Sequence, residues 1–155
     1  MDERKNRRAL WCFLILSVGF LAFIFLRSTR TATESNGESH RLTAILLRFF
    51  DPAGHYTVGD WNNTVRKLAH FAEYAVLGVL VSGFTGALGR LREQRLASMP
   101  LLICLLAATC DELIQLFVPG RGGSPKDILL DFAGVVAGCA VMFFLQSRRK
   151  RRNGK

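Results

Sequence analysis

Apolar residues in this chain are gathered into long blocks and do not alternate with polar ones as they would around a soluble core. Four blocks stand out, at 9–26, about 66–89, about 99–118 and 125–145. Each is close to the ~20 residues that cross a bilayer as a helix. Because lipid offers no partner for backbone N–H and C=O groups, spanning segments of this length are helical. The pattern predicts an all-α, polytopic membrane protein, a four-transmembrane-helix bundle with antiparallel neighbours. Local signals agree. Pro100 is tolerable in the first turn of the third block, and Pro119-Gly120 stops it. The fourth starts with Ser124 as N-cap, Pro125 at the first helical position and Asp127 three residues after the cap. Gly78, Ser82 and Gly86 recur every fourth residue, a ridge that lets a neighbouring helix approach closely.

Residues 27–65 form the longest polar segment and are expected outside the cytoplasm. A connection of that length in a compact domain is either partly disordered or has a use. Within it Leu42, Ile45, Leu46, Phe49 and Phe50 recur at helical spacing, flanked by Arg41 and Arg48. Two readings stand side by side: an interfacial helix lying among lipid headgroups, and a helix that covers the end of the bundle.

Charge fixes the orientation. The 155-residue chain carries a formal charge of +9, and of its 21 Lys and Arg, four lie in residues 1–8, three in the turn after Gly89 and six in the tail 146–155. Flanking basic clusters place both termini and the Arg90–Arg95 turn in the cytoplasm, and topology accounts for the basicity without nucleic acid as a partner. The basic head before Ala9 resembles a signal peptide, but no small-residue cleavage site follows Leu26, so an uncleaved first span is expected. Cys12, Cys104, Cys110 and Cys139 all fall in apolar blocks without metal or redox spacing and read as packing residues.

Against this background the ionisable residues within the spans carry the chemistry, since each costs roughly 2.5–3.5 kcal/mol at a helix centre. On this topology His70 and Glu73, then Asp111, Glu112 and Gln115, then Asp127 and Asp131 share the outer half of the bilayer. At ~1.5 Å rise per residue, His70 and Glu73 lie roughly 6–10 Å below Arg66, and Asp111 roughly 10 Å below Val118. Lys67, His70, Glu73 and Tyr74 stand three and four residues apart on one face, as do Asp111 and Gln115. Asp127, Asp131, Gly134 and Gly138 form one stripe, whose glycines turn the aspartates towards a close neighbour and away from lipid. Plainer roles compete: Asp127 as helix cap, Arg66, Lys67 and Arg121 as interface anchors, and hydrogen bonds from His70 or Glu73 to Gln115 that only fix helix register.

Three ordered motifs, Lys67-x-x-His70-Phe71-x-Glu73-Tyr74-x-x-Leu77-Gly78, Asp111-Glu112-x-x-Gln115-x-Phe117-x-Pro119-x-Arg121 and Asp127-x-x-x-Asp131-x-x-Gly134-x-x-x-Gly138, resemble the signature of the VanZ-like membrane proteins. The resemblance covers roughly 66–145, with the first span and loop matching only in kind. At the position of Asp131 the family would more often carry Asn. The resemblance implies a multi-pass bacterial plasma-membrane protein of the cell envelope, in a family named for a member associated with resistance to the glycopeptide antibiotic teicoplanin.

Two functions are carried forward. In the first, an outer-leaflet pocket binds a membrane lipid, a lipid-linked envelope precursor or a partner membrane protein, itself or another. Lys67, Arg121 and Arg66 pair with phosphate or carboxylate there, while Tyr74, Gln115, Asp127 and Asp131 complete the binding set. In the second, a membrane-embedded enzyme acts on a lipid-linked substrate, with His70 as acid or base, Glu73 orienting it, and Asp111 and Glu112 supplying a second acid or base. No cofactor is expected. Nor is a metal: only one histidine lies in the motifs, and the Glu-x-x-His order of di-metal bundles is reversed. A proton- or ion-coupled transporter is conceivable from the intramembrane acids, but four spans would need to oligomerise to enclose a path.

Overall fold

The computed structural model describes residues 3–94 and 96–153, so Arg95 of the basic turn and the last two residues of the basic tail lie outside the described residues. Five helices follow one another: α1 Glu3–Ser28, α2 Ala32–Phe50, α3 Val58–Arg92, α4 Met99–Leu116 and α5 Pro125–Asn153. There is no strand among the described residues. All but α2 are long and apolar enough to cross a membrane.

The ends differ from the sequence expectation for local reasons. α3 begins at Val58 and not at Arg66, because Thr57 and Asp60 form a capping box in which Thr57 Oγ1 accepts from the Asp60 N–H and Asp60 Oδ2 accepts from the Thr57 N–H at 2.9 Å. With 35 residues, α3 extends roughly 52 Å, well beyond a ~30 Å hydrocarbon core. α4 stops at Leu116, short of Val118, as the N–H groups of Phe117 and Val118 tighten onto the carbonyls of Ile114 and Gln115 at 3.0 and 3.1 Å. α5 carries its basic tail as helix to Asn153, past the expected end at Leu145.

The polar segment after α1 is largely helical. α2 opens on a second capping box, Thr31 with Glu34. Its Ser39 and Thr43 are buried, their hydroxyls donating to Ser35 O and Ser39 O within the helix, while Leu42, Ile45, Phe49 and Phe50 are exposed. α2 thus packs its small polar side against α3 and presents its apolar side outward.

α3 is the hub, packed against all four other helices. Its closest partner is α5. A Cβ on Gly78 would lie 2.6 Å from Val135 O, and one on Gly134 or Gly138 would strike the backbone carbonyl of Phe71 or Ala75. Sequence neighbours are antiparallel, as expected, but this most intimate pair is parallel: Phe71 meets Gly134, Ala75 meets Gly138, and Gly86 meets Gln146. Such contact is what holds helices together where lipid removes the hydrophobic drive. Tyr74, Leu77, Val81, Cys104, Ala108, Val135 and, from α1, Ile24 fill the centre.

Candidate functional site

The glycine contact sets the register of the site. With Phe71 seated against Gly134, His70, one residue before Phe71 on α3, and Asp131, three residues before Gly134 on α5, come close to one another. α4 supplies the third group. One ring nitrogen of His70, one oxygen of Asp111 and one of Asp131 all lie within 4.8 Å of one another. Asp111 and Asp131 are buried, and His70 is half-buried.

Asp111 is well supplied with donors. Ser28 Oγ, at the end of α1, makes a short hydrogen bond to Oδ1, and Gln115 Nε2 donates to Oδ2 at 2.9 Å. Asp131 differs: neither of its oxygens has a hydrogen-bond partner, although its relative exposure is 1%. The Tyr74 hydroxyl is likewise buried and unpartnered. Unpaired polar groups of this kind cost about 1–3 kcal/mol each, more when charged, so each needs a cause.

The carboxylate of Glu112 has another task. Oε2 accepts the N–H of Ser124 at 2.7 Å, and the carbonyl of Ser124 in turn accepts from Asp127 and Ile128 as α5 begins. Ser124 is therefore the N-cap, but the acid received by its N–H comes from α4 and not from Asp127. The approach requires Gly123, where a Cβ would lie 2.9 Å from Glu112 O and from Leu116 Cγ. Asp127 instead pairs with Lys67, Oδ1 to Nζ at 3.4 Å, both side chains substantially exposed.

A cavity of about 180 Å³ adjoins this cluster, with His70 and Asp131 but not Asp111 in its lining. Lys67, His70, Glu112, Gln115, Arg121, Asp127 and Asp131 line it, joined by Arg66 and by Ser35 and Asn36 of α2. Arg66 donates to Asn36 Oδ1 and Asn63 Oδ1, both at 3.0 Å, and Arg121 donates to Ser28 O at 3.4 Å. Neither guanidinium has a carboxylate within 4.0 Å among the described residues. Burial pushes the Arg121 guanidinium below its ordinary pKa; Asp111 and Glu112 oppose this and Arg66 and Arg27 add to it. Arg121 is thus a cation whose surroundings only partly compensate it.

Glu73 does not share that cavity. It lines a second one, of about 330 Å³, between α1, α2 and α3, where Arg27 engages it in a short ion pair and also reaches Glu38 at 3.4 Å. His70 lines both cavities. Tyr74 lines neither, being fully buried in the core.

Residues 13–146 match the VanZ/LLP1 family model. The chain belongs to the VanZ-like family. No curated protein and no solved structure matches it. The matched stretch takes in most of the first span and the α2 segment as well as residues 66–145. Both segments also contribute to the polar region. Arg27 and Ser28 of α1 and Asn36 and Glu38 of α2 complete the polar region, and sequence reasoning missed all four. The signal was Arg27-Ser28 at the point where the first apolar block ends, which by itself reads as an interface anchor.

Proposed function

We propose that this VanZ-like protein is a binding or accessory protein of the bacterial cell envelope, whose outer-leaflet pocket holds the phosphate of a membrane lipid or lipid-linked envelope precursor. One observation carries the reading. Arg66 and Arg121 line a cavity large enough for a phosphate group, and both lack a carboxylate partner among the described residues. A guanidinium offers several donors in a fixed fork that suits phosphate oxygens. The outward apolar side of α2 supports a mouth at headgroup depth, and the basic flanks support an outward-facing pocket with both termini in the cytoplasm.

The test is binding by purified protein in nanodiscs, with a fluorescent polyprenyl phosphate against its dephosphorylated alcohol. The phosphate form is expected to bind and the alcohol not. Arg121→Ala combined with Arg66→Ala is expected to weaken the phosphate form by about tenfold or more, the size of one to two charged hydrogen bonds. Equal binding of both forms, or no loss in the double variant, sinks the reading. The link to teicoplanin-type resistance is tested in parallel, by whether Arg121→Ala fails to restore antibiotic tolerance to a deletion strain that the parent gene restores.

A second reading rests on the approach of His70 to Asp111 and Asp131. An imidazole beside two carboxylates is equipped for acid-base catalysis on a lipid-linked substrate. Product formed by purified protein, lost in His70→Gln, moves the function from binding to catalysis.

A further inference from the structure

We propose that His70, Asp111 and Asp131 form a binding site for one divalent transition-metal cation. The proposal stands on positions alone and does not rest on phosphate binding. Three ligand atoms from three different helices lie within 4.8 Å of one another. Ligands of a single ion at ~2.0–2.2 Å stand roughly 3–4 Å apart, so small side-chain rotations bring all three onto one ion.

The second observation is Asp131 itself. It is 1% exposed, both oxygens lack a hydrogen-bond partner, and one of them points into the cluster. No Lys or Arg lies within 4.0 Å of its carboxylate among the described residues: Arg27 is engaged by Glu73, Lys67 by Asp127, and Arg66 and Arg121, which share its cavity, make no ion pair with it. Protonation does not resolve the matter either, because a buried acid O–H without an acceptor is also unpaired. A cation bound between Asp131, Asp111 and His70 satisfies the orphaned oxygens and balances two carboxylates at once.

The Tyr74 hydroxyl adds a third mark. It is buried and unpartnered on the same helix as His70, and a metal-bound water is one group that would give it a partner. Ser28 and Gln115, both bound to Asp111, already hold that ligand in place as outer-shell partners do.

The donor set narrows the ion. Two carboxylate oxygens with one imidazole nitrogen suit zinc, manganese or iron, whereas magnesium and calcium prefer oxygen alone. His70 also lines both cavities, so a metal held there would sit at the floor of the arginine-lined pocket.

Sequence spacing does not show this set, because one ligand comes from each of three helices. The experiment uses full-length protein without a polyhistidine tag, purified in detergent and stripped with a chelator. Mn²⁺ is then titrated and followed by its electron paramagnetic resonance signal, with Zn²⁺ as competitor. One Mn²⁺ per chain is expected, displaced by Zn²⁺ and not by Mg²⁺, with a rise in the thermal midpoint on binding. His70→Gln and Asp131→Asn are each expected to weaken binding by about tenfold or more. Glu34→Gln, at an exposed carboxylate of α2, is expected to bind as the parent does. Because Asp131→Asn removes an unpaired buried charge, the metal-free variant should melt no lower than the metal-free parent, which separates a lost ligand from a lost fold. No Mn²⁺ bound by the parent, undiminished binding in both ligand variants, or equal loss in Glu34→Gln overturns the site.

Discussion

Glu112 Oε2 on α4 accepts the N–H of Ser124 at 2.7 Å, so the start of α5 is capped by a neighbouring helix. The carboxylate satisfies one of the orphan donors at the helix start and places negative charge at its positive end. Glu112→Ala is expected to destabilise the protein by about 1–3 kcal/mol, since a part-buried N–H then loses its partner. Glu112→Gln keeps an acceptor oxygen and should cost less than half as much. Thermal unfolding in detergent, followed by circular dichroism, reads both, and equal losses would rule out the cap.

The contact between α3 and α5 makes a stronger demand. A Cβ on Gly138 would strike the carbonyl of Ala75, which is backbone and cannot swing aside. Gly138→Ala is expected to cost roughly 1–3 kcal/mol or more through overpacking, and to shift His70 away from Asp131. Gly19→Ala, where nothing lies within 4 Å, should leave stability within experimental scatter. A Gly138→Ala protein as stable as the Gly19→Ala one would mean that the helices are further apart.

Acid should loosen α2 from its first turn. The Thr31 hydroxyl and N–H donate to Glu34 Oε2 at 2.8 and 2.9 Å and hold its carboxyl below the usual glutamate range. A lowered folded-state pKa contributes stability above the unfolded value of ~4.3, and that contribution is lost as pH falls through the folded value. Amide exchange over residues 32–35, corrected for intrinsic rates, should therefore accelerate below about pH 4 and not between pH 6 and 8. In Glu34→Gln this step is expected to vanish.

Orientation has a direct measurement. Gly122 lies in the turn between α4 and α5 with open space around its Cα, so a side chain fits. In a background without Cys12, Cys104, Cys110 and Cys139, Gly122→Cys is expected to react with a membrane-impermeant maleimide on intact cells. Labelling only after the membrane is opened would place this turn, and the pocket with it, on the cytoplasmic side.

Span number and helical class were legible in the linear order of residues, as was which ionisable residues lie within the apolar blocks. Bilayer thickness and the cost of buried charge act on composition over a window of one helix, and neither needs knowledge of the partners. The Asp127, Asp131, Gly134, Gly138 stripe even indicated which face of α5 is packed. What the sequence could not carry is who meets whom. Asp127 looked like the cap acid by spacing, yet Glu112 takes that position. Glu73 stands three residues from His70, yet Arg27 of α1 holds it. The α3–α5 glycine contact, an approach between distant backbones, brings His70 to Asp131, and only the folded bundle decides it. A helix period fixes the face a side chain occupies, while its partner depends on the rotation and depth of another helix, to which local sequence is blind.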